Sequence, residues 1–226
     1  MTISVIIPVL NEEGILHQTL SALPLTGGEE IIVVDGGSSD DTVGIAARFT
    51  GKVFVTRKGR AHQMNFGAAQ AEGSILLFLH ADCRLPDAGF GIIRDVLQKQ
   101  EIAAGAFDLS ITHPKAYFRL IEWGANRRSR FTSIPYGDQG MFMRRETFRQ
   151  LGGFADLPLM EDIEISRRLK SIGKIAFVRP PITTSPRRWL KEGPFYTTVR
   201  DWTLALSFAF FNVSPHRLIR YYEDIR

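Results

Sequence analysis

The sequence predicts an α/β protein whose mostly parallel, doubly wound central sheet carries helices on both faces. In the first hundred residues, short apolar runs alternate with stretches whose apolar residues recur at helical spacing, which indicates alternating strands and helices. The apolar runs are unbroken, as in strands buried on both faces of a parallel sheet. Polar clusters follow three of these runs, at the edge of the sheet where such folds bind ligands.

Four strands and four helices are expected in this first part of the chain. The strands are predicted at residues 3–8, 31–34, 52–56 and 75–79. Each is followed by a helix, and these helices are predicted to end near Leu23, Phe49, Ala71 and Leu97. Asn11 is suited to capping the first helix, and Pro86 is suited to opening the fourth.

The regular alternation breaks after about residue 103. Further strands are predicted at 104–111, 141–144 and 175–178, and further helices at 117–128 and 161–172. An uncharged apolar stretch at 202–213 predicts one more helix. That helix is too short to cross a bilayer, because a membrane span needs about 20 residues.

The composition is that of a globular protein with a sizeable core. Of the 226 residues, 44% are hydrophobic and 23% are charged, and the net charge is +4. This small basic excess favours a phosphate-bearing ligand or an anionic membrane surface, and it is not a nucleic-acid signature. The single cysteine, Cys83, and the lack of a signal-peptide pattern at the N-terminus lead us to expect a cytoplasmic protein.

Three polar clusters follow predicted strands: Asn11-Glu12, Asp35-Gly36-Gly37 and His80-Ala81-Asp82. A carboxylate such as Asp35 at a strand end can accept hydrogen bonds from a ribose or a base, and the glycines would let a ligand approach the backbone. A plain strand–turn–helix joint fits this segment equally well. For Asp82, a site for Mn²⁺ or Mg²⁺ competes with a helix-capping role.

Three further segments carry charges suited to phosphate or proton chemistry. Arg60 opens a predicted helix, where a guanidinium and free backbone amides can hold an anion, although an exposed polar face is the commoner fate. Glu161 and Asp162 begin another helix, where they complement its dipole, and Asp162 could also act as a base. Arg187-Arg188-Trp189 is expected in a loop, as a cation–π cluster or a clamp over a diphosphate.

Taken together, these segments resemble glycosyltransferase family 2, specifically its inverting, compact single-domain bacterial members with the GT-A fold. The resemblance covers most of the chain, and its motifs occur in the family's order. They are Ser4-Val5-Ile6-Ile7-Pro8 with Asn11-Glu12, Val34-Asp35-Gly36-Gly37-Ser38-Ser39-Asp40-Asp41-Thr42, Gly59-Arg60-Ala61 with Asn65, His80-Ala81-Asp82, Gly137-Asp138-Gln139-Gly140, Glu161-Asp162 and Arg187-Arg188-Trp189.

The resemblance implies a role for each matching residue. Asp162 would be the catalytic base, and Asp82 would bind the metal, with His80 as a further candidate ligand. The nucleotide would contact Pro8, Asn11, Glu12, Asp35, Gly36, Arg60 and Ala81. The diphosphate and the acceptor would lie near Asp138, Gln139, Glu161, Arg187, Arg188 and Trp189. Two positions depart from the family pattern, because His80 replaces an aspartate and Thr184 replaces a glutamine.

The expected activity is metal-assisted transfer of a sugar, with inversion, from a nucleoside-diphosphate sugar such as a UDP-sugar to an acceptor hydroxyl. The GT-A domain would span residues 1–186, with a nucleotide-binding half at about 1–100 and an acceptor half at about 101–186, followed by a helical extension at 187–226. A non-catalytic sugar-nucleotide-binding protein of the same fold is an alternative. A nucleotidyltransferase is a weaker one, because the loop after the first strand is acidic.

The apolar stretch near the C-terminus has three alternative fates. It can pack in the core, form a homodimer interface, or lie on a membrane. Basic residues flank it, with Lys191 and Arg200 on one side and Arg217 and Arg220 on the other, which suits an anionic membrane surface. A lipid-linked acceptor would make contact through residues 200–226 useful and would place the protein at the inner face of the membrane.

Overall fold

A computed structural model describes residues 1–222, and within them the chain forms one eight-stranded mixed sheet flanked by helices. In chain order, the strands are β1 Ile3–Val9, β2 Glu29–Asp35, β3 Val53–Val55, β4 Ile75–Phe78, β5 Cys83–Arg84, β6 Ile102–Ile111, β7 Phe142–Arg144 and β8 Lys174–Thr184. The last four residues of the expected C-terminal extension lie outside the described residues.

The same residues contain ten α-helices. They are α1 Glu13–Ser21, α2 Thr42–Ala46, α3 Arg60–Gln70, α4 Gly89–Gln98, α5 Ala116–Thr132, α6 Arg145–Gln150, α7 Glu161–Leu169, α8 Arg187–Glu192, α9 Pro194–Phe211 and α10 Pro215–Leu218. Short 3₁₀ turns occur at Gly137–Gln139 and Ile219–Tyr221. Within residues 1–222, no helix is both long and apolar enough to cross a membrane.

The order of strands across the sheet is β3-β2-β1-β4-β7-β6-β8-β5. The first four strands are all parallel, as their unbroken apolar runs predict. The sheet as a whole is mixed, because β7 runs antiparallel to both β4 and β6, and β5 runs antiparallel to β8. The expectation of a mostly parallel α/β sheet is confirmed, with antiparallel pairing confined to the second half of the order.

Helices cover both faces of the sheet because alternate residues of each strand point to opposite sides. Val5 and Ile7 of β1 pack on one side with Leu16 of α1 and Ile93 of α4. Ile6 of the same strand packs on the other side, in a cluster with Met64 and Ala68 of α3, Phe148 of α6 and Ile165 of α7. This arrangement fixes the carboxyl ends of β1, β2 and β4 side by side.

Two local expectations were wrong. Asn11 does not cap α1; its backbone has a φ of 53°, and its side-chain oxygen accepts a hydrogen bond from the Ser39 amide at 2.9 Å. This contact ties the end of β1 to the loop after β2. Arg187, Arg188 and Trp189 are not in a loop, because they form the first turn of α8.

Candidate functional site

A cavity of about 230 Å³ opens beyond the carboxyl ends of β1 and β4. Helices α5, α7, α8 and α9 contribute to its wall, so the segment after residue 186 is part of the pocket. The cavity brings together many of the residues that the sequence singles out. They are Pro8, Glu12, Arg60, His80, Ala81, Asp82, Asp138, Gln139, Asp162, Arg187, Arg188 and Trp189.

Arg187 joins two of the acidic residues at the strand ends. Its guanidinium donates hydrogen bonds of 2.5 and 2.7 Å to the two carboxylate oxygens of Glu12, and its Nε lies 3.6 Å from Asp82. The side chain of Glu12 is 9% exposed and that of Asp82 is 19% exposed. A single cation from α8 therefore compensates two largely buried carboxylates that lie 70 residues apart in the sequence.

A second acidic centre lies at the start of α7. Asp162 accepts hydrogen bonds from the Gly137 amide at 3.0 Å and from its neighbour Ile163 at 2.8 Å. Burial, together with the negative charge of Glu161, raises the pKa of Asp162 to about 6, although the charge of Arg60 and both hydrogen bonds act in the opposite direction. Asp162 can therefore accept a proton near neutral pH.

Glu161 does not line the main cavity, because its carboxylate pairs with the Arg60 guanidinium beneath it. The Glu161 side chain is 2% exposed. This ion pair links the start of α3 to the start of α7, and it holds a positive charge close to Asp162. Arg60 therefore lines the cavity while its guanidinium is held by the carboxylate of Glu161.

Asp82 and Asp138 both line the cavity and offer carboxylate oxygens, which are the ligands that a hard divalent cation prefers. Burial raises the pKa of the Asp82 carboxyl; Arg187 opposes this, and the charge of Asp138 raises it further. Burial also raises the pKa of Asp138 against the charges of Arg128 and Arg188. A hard divalent cation near the two carboxylates would offset the negative charge that Asp138 exerts on Asp82.

The described residues hold no cluster of three or more histidine, cysteine, aspartate or glutamate side chains suited to a metal. A cation here would therefore take only one or two protein ligands. This is the mode in which Mg²⁺ usually binds, with water and substrate phosphates completing its shell. The residues present fit such an ion.

His80 lies against the loop that carries Asp138. Its Nε2 is 2.6 Å from the position that a Cβ on Gly137 would occupy, so a side chain at residue 137 would collide with the imidazole. The absence of a side chain at Gly137 lets this loop approach the end of β4. Metal ligation by His80 stays a prediction.

Arg188, Trp189 and Gln139 also have defined partners. Arg188 pairs with Asp201 of α9 and donates a hydrogen bond to the Tyr222 hydroxyl. The Trp189 ring meets Phe118 of α5 edge-on, with ring centroids 6.3 Å apart. The Gln139 amide donates to the Phe107 carbonyl at 3.1 Å and accepts from the Tyr136 amide at 3.0 Å, which fixes the loop.

Three of the residues predicted to contact the nucleotide do not line the cavity: Asn11, Asp35 and Gly36. Asp35 is 1% exposed, and one of its oxygens accepts hydrogen bonds of 2.8 Å from the Gly37 and Ser38 amides. These contacts are those of a strand–turn joint. A nucleotide role for the three residues stays a prediction.

Sequence reasoning missed several residues of the cavity wall. Gln63 donates hydrogen bonds of 2.8 Å to the Val9 and Val34 carbonyls, and so it holds the ends of β1 and β2 together. The Arg128 guanidinium stacks 3.3 Å from the centre of the Tyr136 ring. Gln63 could have been suspected from the sequence, because it lies among the polar residues at the start of α3. Arg128 could not, because α5 contains several arginines and no pattern distinguishes this one.

The chain is similar to known glycosyltransferases. The chain is 28% identical over 217 residues to the probable glycosyltransferase YdaM of Bacillus subtilis (strain 168), which covers 83% of this chain and 51% of YdaM. It is 38% identical over 94 residues to a PGL/p-HBAD biosynthesis glycosyltransferase of Mycobacterium bovis (strain BCG), covering 38% of this chain and 37% of that protein. The chain thus spans about half the length of YdaM.

Solved structures share the fold. Residues 1–349 of TarS from S. aureus superpose with a TM-score of 0.64 and 18% identity, covering 98% of this chain and 69% of that one. The mannosyltransferase PcManGT from Pyrobaculum calidifontis, in complex with GDP-Man and Mn²⁺, gives a TM-score of 0.62 at 20% identity and covers 81% and 56% of the two chains. The α/β architecture is therefore the GT-A fold. Residues 4–152 match the family model described as glycosyl transferase family 2, and the chain belongs to that family.

Proposed function

We propose that the protein transfers a sugar from a nucleoside-diphosphate sugar, a UDP-sugar in particular, to a hydroxyl group of an acceptor, with inversion at the anomeric carbon. One observation carries the proposal. A carboxyl group with a pKa raised to about 6, that of Asp162, lines the same cavity as the Asp82–Asp138 pair and the guanidinium groups of Arg187 and Arg188. A base and an anion site thus share one pocket.

The donor would occupy the side of the cavity at the ends of β1 and β4. Pro8, Glu12 and Ala81 offer surface for the nucleoside, and the positive charges of Arg187 and Arg188 would attract a diphosphate. Both guanidinium groups are already paired with carboxylates, so direct binding of the diphosphate would require an exchange of partners. TarS has been solved with UDP-GlcNAc and PcManGT with GDP-Man, and these complexes support a nucleotide-sugar donor for a chain of the same fold.

Asp82 and Asp138 would hold a Mn²⁺ or Mg²⁺ ion at the diphosphate. When bound, such an ion offsets the negative charge that develops on the leaving group. PcManGT and GalNAc-T7 were both solved with Mn²⁺, which supports the assignment. Arg187 lies 3.6 Å from Asp82 and would add its positive charge to the same leaving group.

Asp162 would take the proton of the acceptor hydroxyl while that oxygen attacks the anomeric carbon. A bond forms between the acceptor oxygen and the anomeric carbon as the bond from that carbon to the diphosphate oxygen breaks on the opposite face. The proton ends on the Asp162 carboxyl, and the nucleoside diphosphate leaves with the negative charge. The hydrogen bonds from Gly137 and Ile163 hold the carboxylate in position for this transfer.

The test starts from thermal unfolding of the purified protein against a panel of nucleotide sugars with Mn²⁺. A ligand at a hundredfold excess over its Kd raises the apparent stability by about 2.7 kcal/mol, which a melting experiment resolves. The stabilising donor is then assayed for turnover, by hydrolysis or transfer, with a metal-free control and with Asp162→Asn. NMR of the glycoside formed by transfer determines its anomeric configuration. Binding without turnover would identify a non-catalytic sugar-nucleotide-binding protein instead.

A further inference from the structure

Helix α9 exposes a continuous apolar stripe. Phe195, Val199, Trp202, Leu206 and Phe210 recur at intervals of three or four residues and are all exposed. This spacing places them on one side of the helix. The opposite side packs inward through Thr197, Arg200, Leu204 and Ala205. The stripe therefore remains uncovered within the described structure after the helix has packed on the domain.

Helix α5 carries a second exposed stripe. Leu120, Trp123 and Phe131 lie on one side of it, and the side chain of Phe131 is 93% exposed. Arg127 falls between them at the same helical spacing, and its guanidinium lies 5.3 Å from the centre of the Trp123 ring. Large aromatic side chains seldom stay exposed in such numbers on a monomer unless the surface binds something.

The two helices lie side by side and run in the same direction. The ring of Tyr117, near the start of α5, lies 6.0 Å from the ring of Phe195, near the start of α9. In the middle of both helices, the Trp202 ring is 3.3 Å from the position that a Cβ on Gly124 would take. The two stripes therefore form one surface, the α5–α9 face, made of Leu120, Trp123, Phe131, Phe195, Val199, Trp202, Leu206 and Phe210.

The charges exposed on these two helices have one sign. The exposed charged side chains of α5 and α9 are those of Arg119, Arg127 and Arg130, and Lys115 directly precedes α5. The acidic residues of the two helices, Glu122 and Asp201, have side chains only 12% and 20% exposed, and arginines pair with both. Arg119 pairs with Glu122, and Arg130 pairs with the buried Asp108, so the excess positive charge comes from Arg127 and Lys115. Exposed cations beside exposed aromatic side chains complement anionic lipid headgroups.

The inner sides of the same helices line the cavity. Ile121 and Ala125 of α5 and Leu204 and Ala205 of α9 form an apolar wall opposite the carboxylates. Trp202 lines the cavity and is 38% exposed at the α5–α9 face. Trp202 thus connects the lining of the pocket to the exposed face.

We propose that the α5–α9 face docks on the surface of an anionic lipid bilayer and presents the pocket to an acceptor carried by that bilayer. The evidence for docking is the exposed apolar side chains of the α5–α9 face and the positive charges beside them. The lipid-borne nature of the acceptor rests in addition on the proposed glycosyl transfer. The aromatic rings would enter the headgroup layer, and the arginines would lie among the phosphates.

The test is co-sedimentation of the full chain with vesicles of phosphatidylcholine, with and without phosphatidylglycerol. The variant Val199→Glu/Leu206→Glu puts two charges on the α5–α9 face, where the parent side chains are 65% and 52% exposed. The matched control Val55→Glu/Leu25→Glu makes the same chemical change elsewhere, at side chains 63% and 50% exposed. None of the four residues lines the cavity.

We expect the parent protein and the control to sediment with anionic vesicles, more weakly as salt rises. The α5–α9 variant should bind at least tenfold more weakly. Three outcomes overturn the docking: a parent protein that stays in the supernatant, a variant that binds as well as the control, or a dimer in solution that the variant dissociates. Nucleotide-sugar binding and turnover, measured on the same preparations without vesicles, test the proposed activity separately.

Discussion

Arg187 and Glu12 form a bidentate ion pair that joins residues 175 positions apart in the sequence. The pair connects α8 to the loop after β1, and Asp82 shares the same guanidinium. Glu12 and Asp82 are both largely buried. Removal of the Arg187 guanidinium would therefore leave two buried carboxylates without the positive charge that compensates them. The ion pair therefore has a structural role in addition to its place in the proposed diphosphate site.

Replacement of Arg187 by alanine should lower the free energy of unfolding by about 1–3 kcal/mol, the usual penalty for a buried polar group that loses its partner. Urea unfolding at neutral pH measures the change. The exposed pair of Arg57 and Asp156 supplies a control, because Arg57→Ala should cost about 0–1 kcal/mol. Adding Glu12→Gln to Arg187→Ala should restore part of the loss; no restoration would show that Glu12 does not depend on Arg187.

Replacement of Asp162 by asparagine should lower kcat about 10²–10⁴-fold, the range attributed to general base catalysis. Donor affinity should change little, because the amide keeps the size of the side chain. In the parent enzyme, kcat/KM should rise with pH through about 6, where the Asp162 carboxyl loses its proton. Steady-state kinetics with the donor found by screening measures both effects, and an asparagine variant with full turnover would exclude Asp162 as the base.

The same substitution should change how the stability of the fold depends on pH. The Asp162 pKa is raised from 3.8 to about 6 in the folded state, so the folded protein holds this proton more tightly than the unfolded chain does. The unfolding free energy therefore falls as pH rises from about 4 to about 6, by about 3 kcal/mol at most. Asparagine has one acceptor oxygen, so the variant loses the hydrogen bond from Gly137 or Ile163 at every pH. Urea unfolding should therefore show the stability of Asp162→Asn relative to the parent rising by about 1–3 kcal/mol between pH 4 and pH 7.5. A difference in stability that does not change with pH would contradict the raised pKa of Asp162.

Asp82→Asn should abolish the Mn²⁺-dependent part of nucleoside-diphosphate binding while leaving the fold intact. The amide keeps the shape of the side chain but removes the charge that a hard cation requires. Isothermal titration calorimetry of UDP, with and without Mn²⁺, measures the difference in the parent and the variant. Identical affinities under both conditions in the parent protein would show that this pocket does not bind UDP through a metal.

The fold of the first half could be predicted from local patterns because each parallel strand there is buried on both faces and reads as one apolar run. Ile3–Val9 and Ile75–Phe78 lie where the sequence places them. The antiparallel insertion of β7 between β4 and β6 could not be predicted in this way, because a three-residue strand carries no direction in its pattern. The positions of Asp82 and Asp162 at the ends of elements make a shared site possible, and the resemblance to family 2 predicts it.

The contacts within the pocket depend on long-range pairings that no local pattern contains. Nothing near Asn11 indicates that its side chain serves Ser39 rather than the next helix. Similarly, nothing near Arg187 indicates that Glu12 is its partner. For Asp35, the local pattern suggested a contact with a ligand. In the structure its carboxylate accepts hydrogen bonds from the turn that follows β2.

The distance in sequence between Glu12 and Arg187 bears on when the pocket can first exist during synthesis. The parallel strands that hold Glu12 and Asp82 are translated early, and protein chains tend to fold from the N-terminal part first. The guanidinium that compensates these carboxylates, and the α9 wall of the cavity, are translated only near the end of the described chain. We therefore expect a nascent chain on the ribosome to form the parallel strands β1 to β4 well before the wall of the cavity is complete.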